Sequence, residues 1–281
     1  MTGLVVEGGA SRTYFALGVM DVMMKNNLTA DYIGGASAGI SNALNFASGQ
    51  IGRGMIIGEK YVPDKRYCSF RNFLNPKNRS LFGIDFVFRE IPDKLVPYDY
   101  DALKNFSGTV EATVTNVRTG KSEYLPVPAD SRGWNVLVAS CALPIMFPMV
   151  EINGEKYMDG GIADSIPYRR AFDMGCDRVV VILSRERGYT KKIGSEKAAA
   201  RIFRKYPKFA ESLLNRPEMY NRERSELFEL EKEGKAFVIE PKDTRGWKRT
   251  ECSAEKLRQM YNEGVKTTNS KLDELKKFLN E

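Results

Sequence analysis

The sequence predicts an α/β fold: a three-layer α/β/α sandwich around a mainly parallel central sheet, continued by a helical C-terminal extension. Three observations predict it. Short apolar runs alternate with helix-length stretches through residues 1–185, the pattern of strands joined by crossover helices. Val179-Val180-Val181-Ile182-Leu183 is continuously apolar, as a strand covered on both faces must be. Beyond about residue 187 the composition shifts to charged amphipathic segments. With 281 residues, 42% of them apolar, the chain can bury one large core and carry a modest extension. The expected division is a catalytic-type domain over 1–187 and a mostly helical extension over 188–281, packed on it.

The elements follow in order. Leu4-Val5-Val6 forms a buried first strand, and Thr13 to Lys25 an apolar-rich helix. Asp31-Tyr32-Ile33 is a short second strand, and Ala38 to Ala47 a helix of small residues. Gly108 to Thr115 alternates, with Val110, Ala112 and Val114 on one face, which predicts a half-buried strand. Trp134 to Cys141 fits a helix that ends before Pro144. Asn153-Gly154, between Val150-Glu151-Ile152 and Glu155-Lys156-Tyr157, predicts a hairpin, because Asn-Gly supplies both positive-φ positions of a two-residue turn. Ile166 to Met174 is a helix with Pro167 near its first turn and Gly175 just past its end. Residues 195–233 and 253–280 form charged helices, with Lys235 to Ile239 a further strand between them. The aromatic-rich stretch 60–105 has no regular period; loop and core packing, or the lid or wall of an apolar cleft, both account for it.

The chain contains no histidine. That excludes a Ser-His-Asp triad, a Cys-His dyad and any histidine-ligated metal. A hydrolytic base must then come from Asp, Glu, Lys, Tyr or an amine. Cys68, Cys141, Cys176 and Cys252 lack C-x-x-C spacing, which argues against a zinc site or disulfide framework and suits a reducing cytoplasm. Met1 leads directly into an apolar strand without a basic n-region, and no apolar run approaches the roughly 18 residues of a span. Neither a secretory leader nor a membrane helix is expected, and the expected location is cytoplasmic. The net charge of +7 is concentrated between Arg185 and Lys208, where the basic residues meet only Glu186 and Glu196. A solvated helix face and a patch for anionic lipid headgroups both account for it. Nucleic acid is not an expected partner, since no recognised binding module accompanies the charge.

Three motifs carry chemistry. Gly35-Ala36-Ser37-Ala38-Gly39 is G-x-S-x-G between a strand and a helix, where a serine on a sharp turn stands clear of the backbone and faces the helix N-terminus. Gly35 and Gly39 remove Cβ atoms from a crowded turn. Gly8-Gly9-Ala10-Ser11-Arg12 follows the first strand; its amides suit an oxyanion hole or a phosphate cradle, and Arg12 suits phosphate binding or loop support. It is not G-x-G-x-x-G, so a dinucleotide site is disfavoured. Asp159-Gly160-Gly161 follows the hairpin. Without histidine, Asp159 is the leading base for Ser37, and a partly apolar setting that raises its pKa is expected.

In this order the motifs resemble the patatin-like phospholipase family, in its bacterial branch. The resemblance runs from residue 3 to about 185 and includes Glu7 to Arg12, Gly35 to Gly39, Ala139 to Pro144, Phe147-Pro148, Asp159-Gly160-Gly161 and Asp164 to Pro167. It implies a Ser-Asp dyad, with Ser37 as nucleophile and Asp159 as base, and an oxyanion hole from the backbone of Gly8, Gly9 and Ala10. Arg12, Gly35, Gly39, Gly160 and Gly161 belong to the supporting loops. It implies acyl hydrolysis of phospholipids and related esters, with no metal or cofactor; an anionic inner-membrane surface as a peripheral partner is left open by the basic run alone. Three positions depart from the family pattern: Ala10 stands for the third glycine of the oxyanion loop, Thr13 for the glycine after the arginine, and Ser165 for an asparagine. Ala10 keeps its N–H for an oxyanion only at negative φ or with tolerated strain.

Two other functions stay open on the residues: an esterase or thioesterase of soluble substrates with the same dyad, and a catalytically silent lipid-binding protein, motivated by Ala10 and Thr13. A Ser-Lys enzyme has only Ser253 to Lys256 in its favour, and Ser253 fits better as a helix N-cap.

Overall fold

A computed structural model describes residues 1–280. Its centre is one sheet of eight strands: β1 (Thr2–Val6), β2 (Tyr32–Ala36), β3 (Thr109–Asn116), β4 (Ser122–Pro126), β5 (Val150–Ile152), β6 (Glu155–Asp159), β7 (Arg178–Ile182) and β8 (Ala236–Ile239). Hydrogen-bonded neighbours run β5-β6-β3-β2-β1-β7-β8, with β4 also on β3. β1, β2, β3, β7 and β8 are mutually parallel; β4, β5 and β6 are antiparallel to their neighbours. Successive residues of the parallel strands enter opposite cores, as a period of two requires. Leu4, Val6, Ile33, Val180 and Ile182 pack with the helix α1 (Tyr14–Lys25) on one face. Val5, Tyr32, Val179, Val181 and Val238 pack with Tyr168, Ala171 and Tyr220 on the other. The fold is thus the expected layered α/β sandwich.

The hairpin at Asn153-Gly154 forms as expected, with φ of 50° and 82°, and Ala38–Ala47 is the helix α2. Three local expectations need correction. β2 continues past Ile33 through Gly34-Gly35-Ala36, because β1 and β3 pair with it on both sides and tertiary pairing overrides the weak strand propensity of glycine. β3 is buried on both faces rather than one. Its polar face holds Glu111, which accepts from Arg170 at 2.7 and 2.8 Å and from the Tyr32 hydroxyl at 3.1 Å, so the buried charge is paired. The stretch 60–105 contains a ten-residue π-helix, Phe86–Leu95, with Pro92 inside it; neither it nor β4 is among the elements expected from the sequence.

The C-terminal region joins the same sheet through β8, which lies parallel to β7. Its helix Ala254–Ser270 crosses α1, where Gly18 and Gly264 each face the other helix's backbone. The Tyr261 hydroxyl donates to the buried Asp21 carboxylate at 2.7 Å, and the Gly52 amide donates to the same oxygen at 2.9 Å.

Candidate active site

The sheet itself brings Ser37 and Asp159 together. β4 covers one edge of β3 along residues 111–115, so β2 and β6 must share the other. β2 pairs up to Ala36 opposite Thr113, and β6 takes over with Asp159 opposite Val114. The two strands meet end to end on one edge. Ser37, which follows Ala36, therefore comes against Asp159, the last residue of β6. At Gly160 a Cβ would lie 2.1 Å from the Thr113 carbonyl oxygen, so the chain turns away there only as glycine.

Ser37 sits at φ 55°, ψ −137°, a backbone conformation that strains any residue with a Cβ. The surroundings hold it. Its N–H donates to Ser140 Oγ at 2.9 Å, and the Ser140 hydroxyl donates to Thr113 O at 2.7 Å. A Cβ on Gly35 or Gly39 would stand 2.7 or 2.4 Å from the Val6 carbonyl oxygen, so the turn packs directly on the end of β1. α2 begins at the next residue.

Asp159 is 1% exposed. Its N–H donates to Ala142 O, and its carbonyl accepts from Thr115 Oγ1, both at 2.9 Å. Oδ1 accepts from the Gly161 amide at 2.9 Å, whereas Oδ2 is buried without a hydrogen bond of ordinary geometry. Burial pushes the Asp159 carboxyl above the usual range; Arg216, the Ser37 hydroxyl, Arg249 and the Gly161 amide oppose that rise. A carboxylate so placed has a greater affinity for a proton than one in water. Cys141 lies beside the pair, but burial pushes its thiol up to about 12, so it stays protonated and is no competing nucleophile.

The loop after β1 packs beside the serine turn. A Cβ on Gly8 would lie 2.8 Å from Ala36 O, and one on Gly9 would lie 2.7 Å from Ser184 Oγ. Ala10 adopts φ 49°, so the strain foreseen for it is present and tolerated. Its neighbours are fastened to the segment that leads into the helix Ala254–Ser270. Ser11 N–H donates to Arg249 O and Ser11 Oγ to Glu251 O, both at 3.0 Å, and Arg12 Nε donates to Trp247 O at 3.1 Å. The Thr13 hydroxyl donates to Ala10 O at 2.7 Å, a bond that glycine at position 13 would lack. Among the described residues the amides of Gly8, Gly9 and Ala10 have no protein acceptor. Arg12 supports this loop and also faces a cleft.

Two chambers open at Ser37 and Ala10. One, of about 150 Å³, is mostly apolar and is walled by Tyr14, Leu44, Tyr67, Phe82, Phe88 and Trp134. The aromatic stretch 60–105 therefore supplies a cleft wall, while Phe86 and Phe88 are also core. The other chamber, of about 160 Å³, contains Asp159, Gly161 and a group of cations that includes Arg216 and Lys191. Sequence reasoning missed Ser140, Arg216 and Arg249. Ser140 stands within a motif, but only the fold aims its hydroxyl at Ser37. Arg216, inside the helix Pro207–Lys232, donates from Nε to Gly161 O at 2.6 Å, and nothing in its own neighbourhood of sequence marks that contact.

The family model for patatin-like phospholipase matches residues 4–172. A domain of unknown function, DUF6363, matches residues 206–280. An uncharacterized protein of Escherichia coli K12, YjjU, is 30% identical over 189 residues, covering 64% of this chain and 50% of that one. Lysophospholipase NTE1 of Candida glabrata is 22% identical over 191 residues, covering 64% of this chain and 10% of that protein. The chain thus spans half or less of the length of these curated relatives. Among solved structures, VipD from Legionella pneumophila aligns with a TM-score of 0.48 at 16% identity, over 97% of this chain and 67% of that one.

Proposed function

Because the chain belongs to the patatin-like phospholipase family, we propose that it is a serine acyl hydrolase that cleaves lipid esters with Ser37 as nucleophile and Asp159 as base. The observation that carries this reading is the buried Asp159 Oδ2, which has no ordinary hydrogen-bond partner and sits beside a strained serine in a cleft. Ser37 Oγ gives its proton to Asp159 and bonds to the ester carbonyl carbon; the carbonyl oxygen takes the negative charge and receives the amides of Gly8, Gly9 and Ala10. The bond to the alcohol breaks, and Asp159 returns the proton to the departing oxygen. A water then gives a proton to Asp159 and attacks the acyl carbon, the bond to Ser37 breaks, and the proton passes back to Ser37 Oγ as the fatty acid leaves. A fluorophosphonate probe should label the protein once, on the peptide containing Ser37 by mass spectrometry. An unlabelled protein, or a label elsewhere, overturns the assignment.

Lipid as the substrate is supported by the apolar chamber that opens at Ser37 and by a relative named as a lysophospholipase. Among the described residues no helix is long and apolar enough to cross a membrane; the contact proposed here is with the surface of an anionic bilayer. The short helix Phe70–Leu74 suits that contact: Phe70 and Leu74 are each 67% exposed, next to Arg71 and close in sequence to Tyr67 of the chamber wall. Burying two such side chains in lipid is worth about 3 kcal/mol or more. Phe70→Ser combined with Leu74→Ser should lower turnover of anionic vesicles at least tenfold relative to turnover of a soluble nitrophenyl ester. An unchanged ratio removes this face from the reading.

A further inference from the structure

The second chamber, which meets the apolar one at Ser37 and Ala10, gathers Arg12, Arg185, Lys191, Arg216 and Arg249. Two carboxylates line the same space, and neither pairs with a cation there. Glu7 is committed to the Ser184 amide at 2.8 Å and the Tyr220 hydroxyl at 2.7 Å. Asp159 is the residue beside Ser37. Within 4 Å only Arg216 meets an acid, Glu196, at 3.8 Å. Arg12 and Arg185 each donate to neutral oxygens, Trp247 O and Thr244 Oγ1. Lys191 Nζ lies 5.3 Å from the centre of the Tyr220 ring. Set against Glu7, Asp159 and Glu196, the five cations leave an excess of two positive charges when Lys191 is protonated.

Such a cluster is costly unless an anion joins it. The cost shows in Lys191, whose ammonium burial, Arg216 and Arg249 push down to about 7, and in Arg12, pushed down to about 10 by burial and by Arg185 and Arg249. Several guanidinium forks around one space match the oxygens of a phosphate. The excess matches the charge of a phosphomonoester near neutral pH, about −1.5 to −2. A choline or ethanolamine head would bring a further cation into the cluster.

Ser37 and Ala10 line both chambers, which fixes the order of the parts along a ligand: acyl chain, scissile ester at Ser37, then phosphate. We propose that the cationic chamber binds the phosphomonoester headgroup of the lipid whose acyl ester lies at Ser37, making phosphatidate-type and lysophosphatidate-type lipids the preferred substrates. This rests on the acyl-hydrolase reading above for the reaction, but not for the binding of phosphate.

The test compares lysophosphatidic acid, lysophosphatidylcholine and monoacylglycerol of one acyl chain in detergent micelles, for the wild type, Lys191→Met and Arg249→Gln. The wild type should prefer lysophosphatidic acid at least tenfold in kcat/KM. Each substitution should reduce that preference roughly tenfold, chiefly through KM, as expected for loss of a charged hydrogen bond. Equal rates on the three lipids, or a preference untouched by both substitutions, overturn the proposal. A second arm measures calorimetric binding of glycerol 3-phosphate and of inorganic phosphate to Ser37→Ala, with and without Lys191→Met. If no ester is hydrolysed but glycerol 3-phosphate binds and Lys191→Met weakens it, the phosphate chamber stands and the hydrolase reading falls. Binding of inorganic phosphate alone, without lipid preference, makes this a free-phosphate site and overturns the lipid assignment.

Discussion

Ser37→Ala is expected to lower ester hydrolysis on the order of 10⁶-fold, and Asp159→Asn roughly 10⁴-fold. The alanine variant lacks the atom proposed to become acylated; the asparagine variant keeps the shape but cannot take a proton. Asp159→Asn should also raise Tm. Burial lifts the folded-state pKa of Asp159 above its ordinary 3.8, so at neutral pH the folded protein holds a charge that the unfolded chain holds at lower cost. The protonated group's contribution to stability is fully present below its unfolded pKa and is lost as pH rises through the raised folded value. The Tm advantage of Asp159→Asn should therefore be largest at neutral pH and shrink in acid. Wild-type kcat/KM should fall as pH drops through that same raised value, because the protonated carboxyl cannot take the proton of Ser37. Activity retained in either variant would sink the dyad; an Asp159→Asn protein that is inactive but less stable at neutral pH would mean that the Asp159 charge itself supports the fold, through Arg216 and Arg249.

What the sequence makes legible is local. Gly35 to Gly39 declares a serine on a turn because its strand and helix lie on either side, and Asn153-Gly154 declares its hairpin from two residues. The meeting of Ser37 with Asp159 is not local: it depends on β4 occupying one edge of β3, so that β2 and β6 must follow one another on the other. β4 has little strand signal, so this arrangement could not be read in advance. The basic run from Arg185 to Lys208 divides in the same way. Lys192, Lys197, Arg201, Arg204, Lys205 and Lys208 are exposed, as a solvated face requires. Arg185 and Lys191 instead line the cleft with Arg216 and Arg249, residues contributed by distant segments. Spacing along one segment carries no trace of a cluster assembled from four.

Gly18→Ala is expected to destabilise the protein by about 2 kcal/mol or more, although alanine is the better helix former by about 1 kcal/mol. The sign is decided at the crossing of α1 with the helix Ala254–Ser270. A Cβ on Gly18 would lie 2.1 Å from Tyr261 O and 2.9 Å from Val265 N; one on Gly264 would lie 2.1 Å from Phe15 O. Each obstacle is backbone, so no side-chain rotation relieves it, and the two helices would have to separate. Separation would also strain the bond from Tyr261 to the buried Asp21 carboxylate, leaving a charge short of a partner. Urea unfolding should show a lower midpoint for Gly18→Ala and for Gly264→Ala, with the double variant falling short of additivity because one displacement accommodates both methyls. The consequence extends to the site. The helix Ala254–Ser270 follows the segment whose Trp247, Arg249 and Glu251 carbonyls hold Ser11 and Arg12, the two residues that directly follow Ala10. Ester hydrolysis in Gly18→Ala should therefore fall at temperatures where the protein is still folded, with Ser37 still labelled by a fluorophosphonate but more slowly. A stabilised Gly18→Ala protein, or a destabilised one with unaltered labelling rate, would separate the helix crossing from the loop of Gly8, Gly9 and Ala10.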